Sequence, residues 1–387
     1  MSRSGAVKLI FVAAVAAVAA VAGAQFYQHR HHRLPIVAGP AVTRVVDLSH
    51  YGAGLKNTMA DTKVFFLQGQ EPGGTVLIMA GTHANEIDAH LSALIFVENA
   101  LVQKGTVIVI PQLNRSASVY TRPGDGYPLF YDVQTPWGTK QFRFGDRGAS
   151  PLDQWPDPDV YVHYPDGQLL SFMDARNTNR SWPGRPGGLL TERVTAAVMR
   201  LLAEEHVDIA LDLHGAETMF PVTNCIVAPE PSMKIATMAS MMVTAMEGFE
   251  NHVEPSPKGF RGLSHREIGD YSKTAPFLME APFPFLDQPT GPKTRDLLMT
   301  GRDPFLLSLA GQQKLFVPYD ESGWPIEKRV GQHCSVALEI IRQYSKRNAD
   351  RGLLISEVPR YADLVSHGVG FYFHDPRTAK PARVYFD

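Results

Sequence analysis

The sequence predicts an α/β fold: a mixed, mostly parallel central sheet with helices on both faces. Three observations point there. Short apolar runs alternate with longer spans of helical spacing, the order that builds a sheet covered by helices. The runs 75–80 and 207–213 are apolar through most of their length, as in strands buried on both sides. With 387 residues, 44% hydrophobic and 20% charged, the chain can bury a large core as one large domain or two moderate ones.

The N-terminus stands apart. Arg3 and Lys8 precede an apolar run over 9–24, and Ala22-Gly-Ala24 has the small-x-small form of a signal-peptidase site. That run is short of the roughly 20 residues a membrane span needs, but Phe26 and Tyr27 extend it. Residues 1–24 are expected to be a signal peptide or a membrane anchor. The protein is then exported, periplasmic or otherwise extracytoplasmic, soluble or anchored. Residues 25–42 read as a linker, with His29-Arg-His-His-Arg33 as a solvated tract. The main domain spans 43–350, and 351–387 forms a small β-rich extension around Val369-Gly-Phe-Tyr-Phe-His374.

Within the main domain, 65–67, 75–80 and 106–110 read as strands, with a helix over 86–103 between the last two. Residues 111–188, dense in Pro, Gly, Asp, Tyr and Trp, show little periodicity; so long a loop in a compact domain is often functional. A helix over 190–205 leads to strands at 207–213 and 225–228. The methionine-rich helix 233–246 reads as core packing. An apolar strand within 274–282 and a helix over 330–344 follow.

Chemistry gathers at strand ends, where ligands bind in such sheets. Gly81-Thr-His83-Ala-Asn-Glu86 follows the 75–80 strand, so an imidazole and a carboxylate emerge together at one rim. Val207-Asp-Ile-Ala-Leu-Asp-Leu-His214 delivers a second imidazole in the same way. Two histidines and a glutamate, with an open position for water, suit one zinc ion per chain. The alternative is a hydrogen-bonded His83 beside a helix-capping Glu86. His90, one turn beyond Glu86, reads as an ordinary surface or core histidine. Within the long loop, Asn179-Arg180 offers a neutral donor and a guanidinium fork for a substrate carboxylate, or serves as loop scaffolding. Glu280 closes an apolar strand, where a carboxylate is costly without solvent, a cation or a site. Near zinc it could shuttle a proton as general base; otherwise it makes an ordinary salt bridge.

Together these segments resemble the succinylglutamate desuccinylase/aspartoacylase family of zinc-carboxypeptidase-like hydrolases. The pieces occur in the family's order: Gly81-Thr-His83-Ala-Asn-Glu86, Asn179-Arg180 with Pro183-Gly184, Asp212-Leu-His214, then Glu280. Leu286-Asp-Gln-Pro-Thr-Gly291 and Thr300-Gly-Arg-Asp303 also look familial, and the resemblance covers about 64–317. It implies a zinc-carboxypeptidase-like fold with zinc held by His83, Glu86 and His214. Glu280 would be the catalytic base, Asn179 and Arg180 the substrate-carboxylate holders, and Asp212 an orienting partner of a ligand. The chain departs from the family in carrying Asn177 where an aspartate is common. Arg122, Arg143, Arg147 and Arg176 compete for the role of stabilising an oxyanion, and Ser264-His265-Arg266-Glu267 is polar enough to face a pocket.

The implied activity is hydrolysis of an amide bond in a small N-acylated amino acid or related carboxylate. The alternatives are an exported zinc carboxypeptidase acting on peptides, including cell-wall peptides, and a silent member that only binds ligand. A net charge of −2 offers no basic footprint, so nucleic acid is not an expected partner. Cys225 and Cys334 are too few for a disulfide framework or a thiolate zinc site, though one bridge is open to them. No Gly-x-Ser-x-Gly elbow and no Gly-x-x-x-x-Gly-Lys-Ser/Thr loop occurs.

Overall fold

The computed structural model describes residues 3–387. From the N-terminus the chain runs α1 (Arg3–His31), β1 (Pro35–Val37), β2 (Val42–Asp47), β3 (Lys63–Gln68), β4 (Glu71–Met79), α2 (Ile87–Asn99) and β5 (Leu101–Ile110). The irregular middle holds α3 (Arg115–Ser118), the strands β6 (Phe130–Thr135) and β7 (Gly138–Arg143), and the short pair β8 (Tyr161–Val162) and β9 (Leu169–Leu170). Then come α4 (Leu190–Glu204), β10 (Ile209–Ala216), β11 (Cys225–Ala228), α5 (Met233–Glu247), β12 (His252–Pro255), α6 (Ser264–Tyr271) and β13 (Ala275–Pro282). The chain closes with α7 (Arg295–Thr300), α8 (Pro304–Gly311), α9 (Ile326–Arg347), β14 (Leu354–Ser356), α10 (Tyr361–His367) and β15 (Val384–Phe386).

A nine-stranded mixed sheet in the order β12-β11-β13-β10-β4-β5-β3-β2, with β14 added beside β5, organises the molecule. The adjacent central strands β13, β10, β4 and β5 are parallel. Antiparallel pairing brings in β2, β3 and β14 on one side and joins β11 to β13 on the other. Apolar side chains cover both faces: α2, α5 and α9 pack on one, α4 and Ile268 of α6 on the other. The sheet is thus mixed, with helices on both faces, and its parallel part lies at the centre.

Register aligns the functional strand ends. Met79 pairs with Asp212, and His214 pairs with Glu280. The chain leaves β4 for β5 on one side while β10 flanks it on the other, so strand order reverses beside the exit of β4. Crevices at such switch points receive ligands.

Several segments differ from the sequence expectation. Helix α2 ends at Asn99, and Leu101–Gln103 already belong to β5. The middle stretch contains the β6–β7 hairpin, in which Tyr131 and Phe142 stack with ring centroids 5.3 Å apart. Residues 25–42, expected as a linker, include the last turns of α1 and β1, which pairs antiparallel with β15. The C-terminal piece is less β-rich than expected. Its Val369–Tyr372 run is a 3-10 turn that buries Val369 against the core, and β14 extends the main sheet. Cys225 and Cys334 are both buried free thiols.

Candidate metal centre

The turn leaving β4 depends on Gly81. Its φ is +65°, and a Cβ there would lie 2.9 Å from the Gln112 Cα, so glycine alone fits without displacement. Past this turn the chain presents His83 and then Glu86, the residue that caps α2. The Glu86 side chain makes no capping bond. Instead its Oε1 lies 2.7 Å from His83 Nδ1 and its Oε2 lies 2.9 Å from His214 Nδ1 and accepts from the Gly215 amide at 3.1 Å. Glu86 thus stands at the N-cap of α2 while its side chain turns to the two imidazoles rather than to the helix amides. One potential ligand atom from each of His83, Glu86 and His214 falls within 4.8 Å of the others, and all three residues are buried.

Each imidazole is held from its far side. His83 Nε2 lies 2.9 Å from Asn177 Oδ1, which also accepts from the Asn179 amide at 2.9 Å. Because that backbone N–H can only donate, the oxygen of Asn177 must face it, and His83 must carry its proton on Nε2. His214 Nε2 lies 3.0 Å from Asp212 Oδ2. Asp212 is itself fixed by the Thr82 hydroxyl at 2.8 Å and the Ser264 hydroxyl at 2.5 Å. Both Nδ1 atoms thus converge on Glu86, while His83 Nε2 meets the Asn177 oxygen and His214 Nε2 lies beside the Asp212 carboxylate, positions suited to orienting metal ligands. Two borderline nitrogen donors and a carboxylate fit zinc.

Electrostatics agree with that fit. Burial, reinforced by Arg147, pushes the His83 pKa down to about 4 against the pull of Glu86, so it is neutral at pH 7. Burial opposes protonation of His214, but Asp212 and Glu86 overcome it and raise its pKa well above the ordinary value. Burial also disfavours an ionised Glu86, yet His83 and His214 hold its carboxyl far below the usual range. Positive charge at His214 is thus favoured by the carboxylates of Asp212 and Glu86 on either side of it.

His83 and Glu86 open onto a cavity of about 340 Å³ that is also lined by Gly215 next to His214 and by Arg147, Asn179, Arg180 and Glu280. Glu280 is half-buried, but its Oε2 is shielded from solvent and has no hydrogen-bond partner. Burial, with Glu86 and Glu217 adding repulsion, raises its pKa well above the ordinary value despite His214 and Arg147. No ordinary salt bridge engages it among the described residues. Asn179 Oδ1 accepts from the Ser264 amide at 2.9 Å, which leaves its NH₂ as the group free to donate. Arg180 packs over Phe260 at 4.6 Å from the ring centroid and lies 3.7 Å from Asp174. Burial, then Arg147, lowers its pKa to about 10, so an anion beside it would be welcome. Gly262, at φ +83°, lets its loop press on the Arg180 carbonyl, where a Cβ would come within 2.1 Å.

The structure also sorts the remaining expectations. Arg122 is tied to Asp146 at 2.5 Å, Arg143 to Asp387, and Arg176 to Asp157 at 2.7 Å. Arg147 is the member of that set that lines the cavity, 3.9 Å from Glu86. Ser264 and His265 face the site, whereas Arg266 pairs with Asp270 and Glu267 with Arg261. His90 is buried in α2, outside the site. In the later runs, Gln288 accepts from the Thr218 hydroxyl and Asp303 caps α8, both scaffolding tasks. Sequence reasoning left Arg147 as one of four rival arginines and missed the contact of Asn177 with His83. The glycines flanking Gly145-Asp-Arg147-Gly148 were the available signal, since a Cβ on Gly145 would strike Ala84 beside His83.

The chain matches no protein-family model and no curated protein. Among solved structures it is similar to a succinylglutamate desuccinylase from a Silicibacter species, with 16% identity over 57% of this chain and 53% of that one and a TM-score of 0.36. An aspartoacylase family protein from Mesorhizobium loti gives 20% identity, 57% and 56% coverage, and a TM-score of 0.35. A metallo-carboxypeptidase from Burkholderia cenocepacia gives 14% identity, 80% and 66% coverage, and a TM-score of 0.46. The chain spans about half the length of the first two. Structural neighbours of this protein thus include members of the succinylglutamate desuccinylase/aspartoacylase family.

Proposed function

We propose that this protein is a zinc-dependent hydrolase of that family that cleaves an amide bond in a small N-acylated amino acid or related carboxylate. The observation that carries the reading is Glu86 facing the Nδ1 atoms of His83 and His214 at 2.7 and 2.9 Å, with the unpartnered Glu280 carboxyl lining the same cavity. His83, Glu86 and His214 would hold one zinc ion. Such an ion would supply Lewis-acid chemistry, acidifying a water and polarising a carbonyl.

Around that centre the chain's own groups divide the work. Glu280 accepts a proton from the attacking water and returns it to the leaving nitrogen. Arg180 and the Asn179 amide hold the substrate carboxylate, and Arg147 steadies negative charge on the carbonyl oxygen. Asn177 and Asp212 keep the two imidazoles in the tautomer that leaves Nδ1 free. The protein works outside the cytoplasm, held by α1 or released by cleavage after Ala24.

One observation favours peptides as a second substrate class. The cavity lining also includes the apolar Val222, Val227, Leu278 and Phe260, surface that suits the side chain of a C-terminal residue. A panel of N-acyl amino acids and short peptides, assayed with the zinc-loaded protein, decides between them. Turnover of acyl amino acids alone supports the deacylase reading. Turnover of peptides alone replaces it with a carboxypeptidase, and turnover of neither leaves a ligand-binding protein.

A further inference from the structure

We infer that the loop carrying Leu152 and Trp155 is a second membrane contact, which seats the protein on the bilayer that α1 crosses. Helix α1 is long and apolar enough to span a membrane, and its apolar window has no residue buried against the body. Only the last turn docks. His29 is buried and bonds the Phe144 carbonyl at 3.1 Å, and Arg30 pairs with Asp153 at 2.5 Å. From Leu9 to Tyr27 the helix rises about 27 Å, close to the roughly 30 Å of a hydrocarbon core. Arg30 sits about 4.5 Å further on, inside the headgroup layer, which is about 5–7 Å deep.

Asp153 is therefore fixed at headgroup depth, and its neighbours come with it. Leu152 is 79% exposed and Trp155 is 75% exposed. At about 3.8 Å per residue, both Cα atoms lie within about 8 Å of that of Asp153. Trp155 is also the single exposed tryptophan of four, the others being buried or half-buried. Two large apolar side chains are thus held in water at this place, where a membrane interface would favour the tryptophan. Asp153 is locked from behind by the Ser116 hydroxyl at 2.7 Å, so the loop has a fixed height relative to α1. The occupant of this surface is the lipid interface.

The inference rests on α1 remaining in the membrane and is independent of the chemistry at the metal centre. The test uses the full chain in phosphatidylcholine–phosphatidylglycerol vesicles whose acyl chains are brominated near the headgroup. Flotation reads the anchor, and bromine quenching of tryptophan fluorescence reads the docking. The expected result is co-flotation with quenching that Trp155→Phe largely removes and Leu152→Trp, added to that variant, restores. Flotation with quenching that ignores position 155, or with no rescue from position 152, overturns the docking surface while the anchor stands. Loss of flotation overturns both.

Discussion

Replacing Glu280 with glutamine separates catalysis from folding and from metal uptake. The Glu280 Oε2 is buried without a hydrogen-bond partner, so an amide of the same shape breaks no bond to that atom. The raised pKa at this position means that the folded protein holds a proton on Glu280 more tightly than the unfolded chain does. Its contribution to stability is present at low pH and lost as pH rises through the folded pKa. A permanently neutral glutamine avoids that loss, so the metal-free Glu280→Gln protein should melt at or above the wild-type temperature near pH 7. Glu280 stands outside the group of three potential ligands, so zinc content should not change. Turnover should fall by about 10²–10⁴, the usual worth of a positioned proton shuttle, equivalent to about 3–5 kcal/mol in the barrier. Calorimetry, metal analysis and steady-state kinetics on the same preparation read all three quantities. Full turnover with zinc bound would refute the assignment, and so would a loss of zinc that tracks the loss of rate.

Two further outcomes follow from buried polar groups. Asn177→Leu removes the oxygen that faces His83 Nε2 and should weaken zinc binding about 10–100-fold, whereas Asn177→Asp should bind at least as tightly as the wild type. Competition with a chromophoric chelator measures both, and wild-type affinity in the leucine variant contradicts the orienting role. Burial, followed by Arg143 and Lys140, lowers the His90 pKa to about 3, so the folded state binds this proton more weakly than the unfolded chain. The stability it contributes above the unfolded pKa of about 6.5 is lost as pH falls, on the order of 3 kcal/mol by about pH 4.5. Urea melts of His90→Leu should show a shallower acid decline than the wild type, and an identical decline excludes His90 as a cause.

The parts of the protein legible in its sequence are those where local pattern and tertiary role coincide. Continuous apolar runs mark β4, β10 and β13, because central parallel strands are buried on both faces. His83, Glu86, His214 and Glu280 sit within a few residues of those strand ends, so their convergence follows from sheet register. The β6–β7 hairpin was harder to see, since Pro136, Trp137 and Gly138 interrupt its alternation. The buried end of α1 was invisible in a basic, histidine-rich run that looks solvated. His29 is held there by the Phe144 carbonyl, a contact across 115 positions that no local window contains. Arg147 was hidden for the same reason: four arginines are equivalent in sequence until partners claim Arg122, Arg143 and Arg176.

The central claim is that distant segments build one zinc site. Its most direct test is metal content of the purified full-length protein by mass spectrometry, beside His214→Ala. One tightly held zinc per chain, lost in the variant while the fold persists by circular dichroism, is the predicted result. A wild-type protein that takes up no zinc, or a His214→Ala protein that retains it in full, would contradict the account.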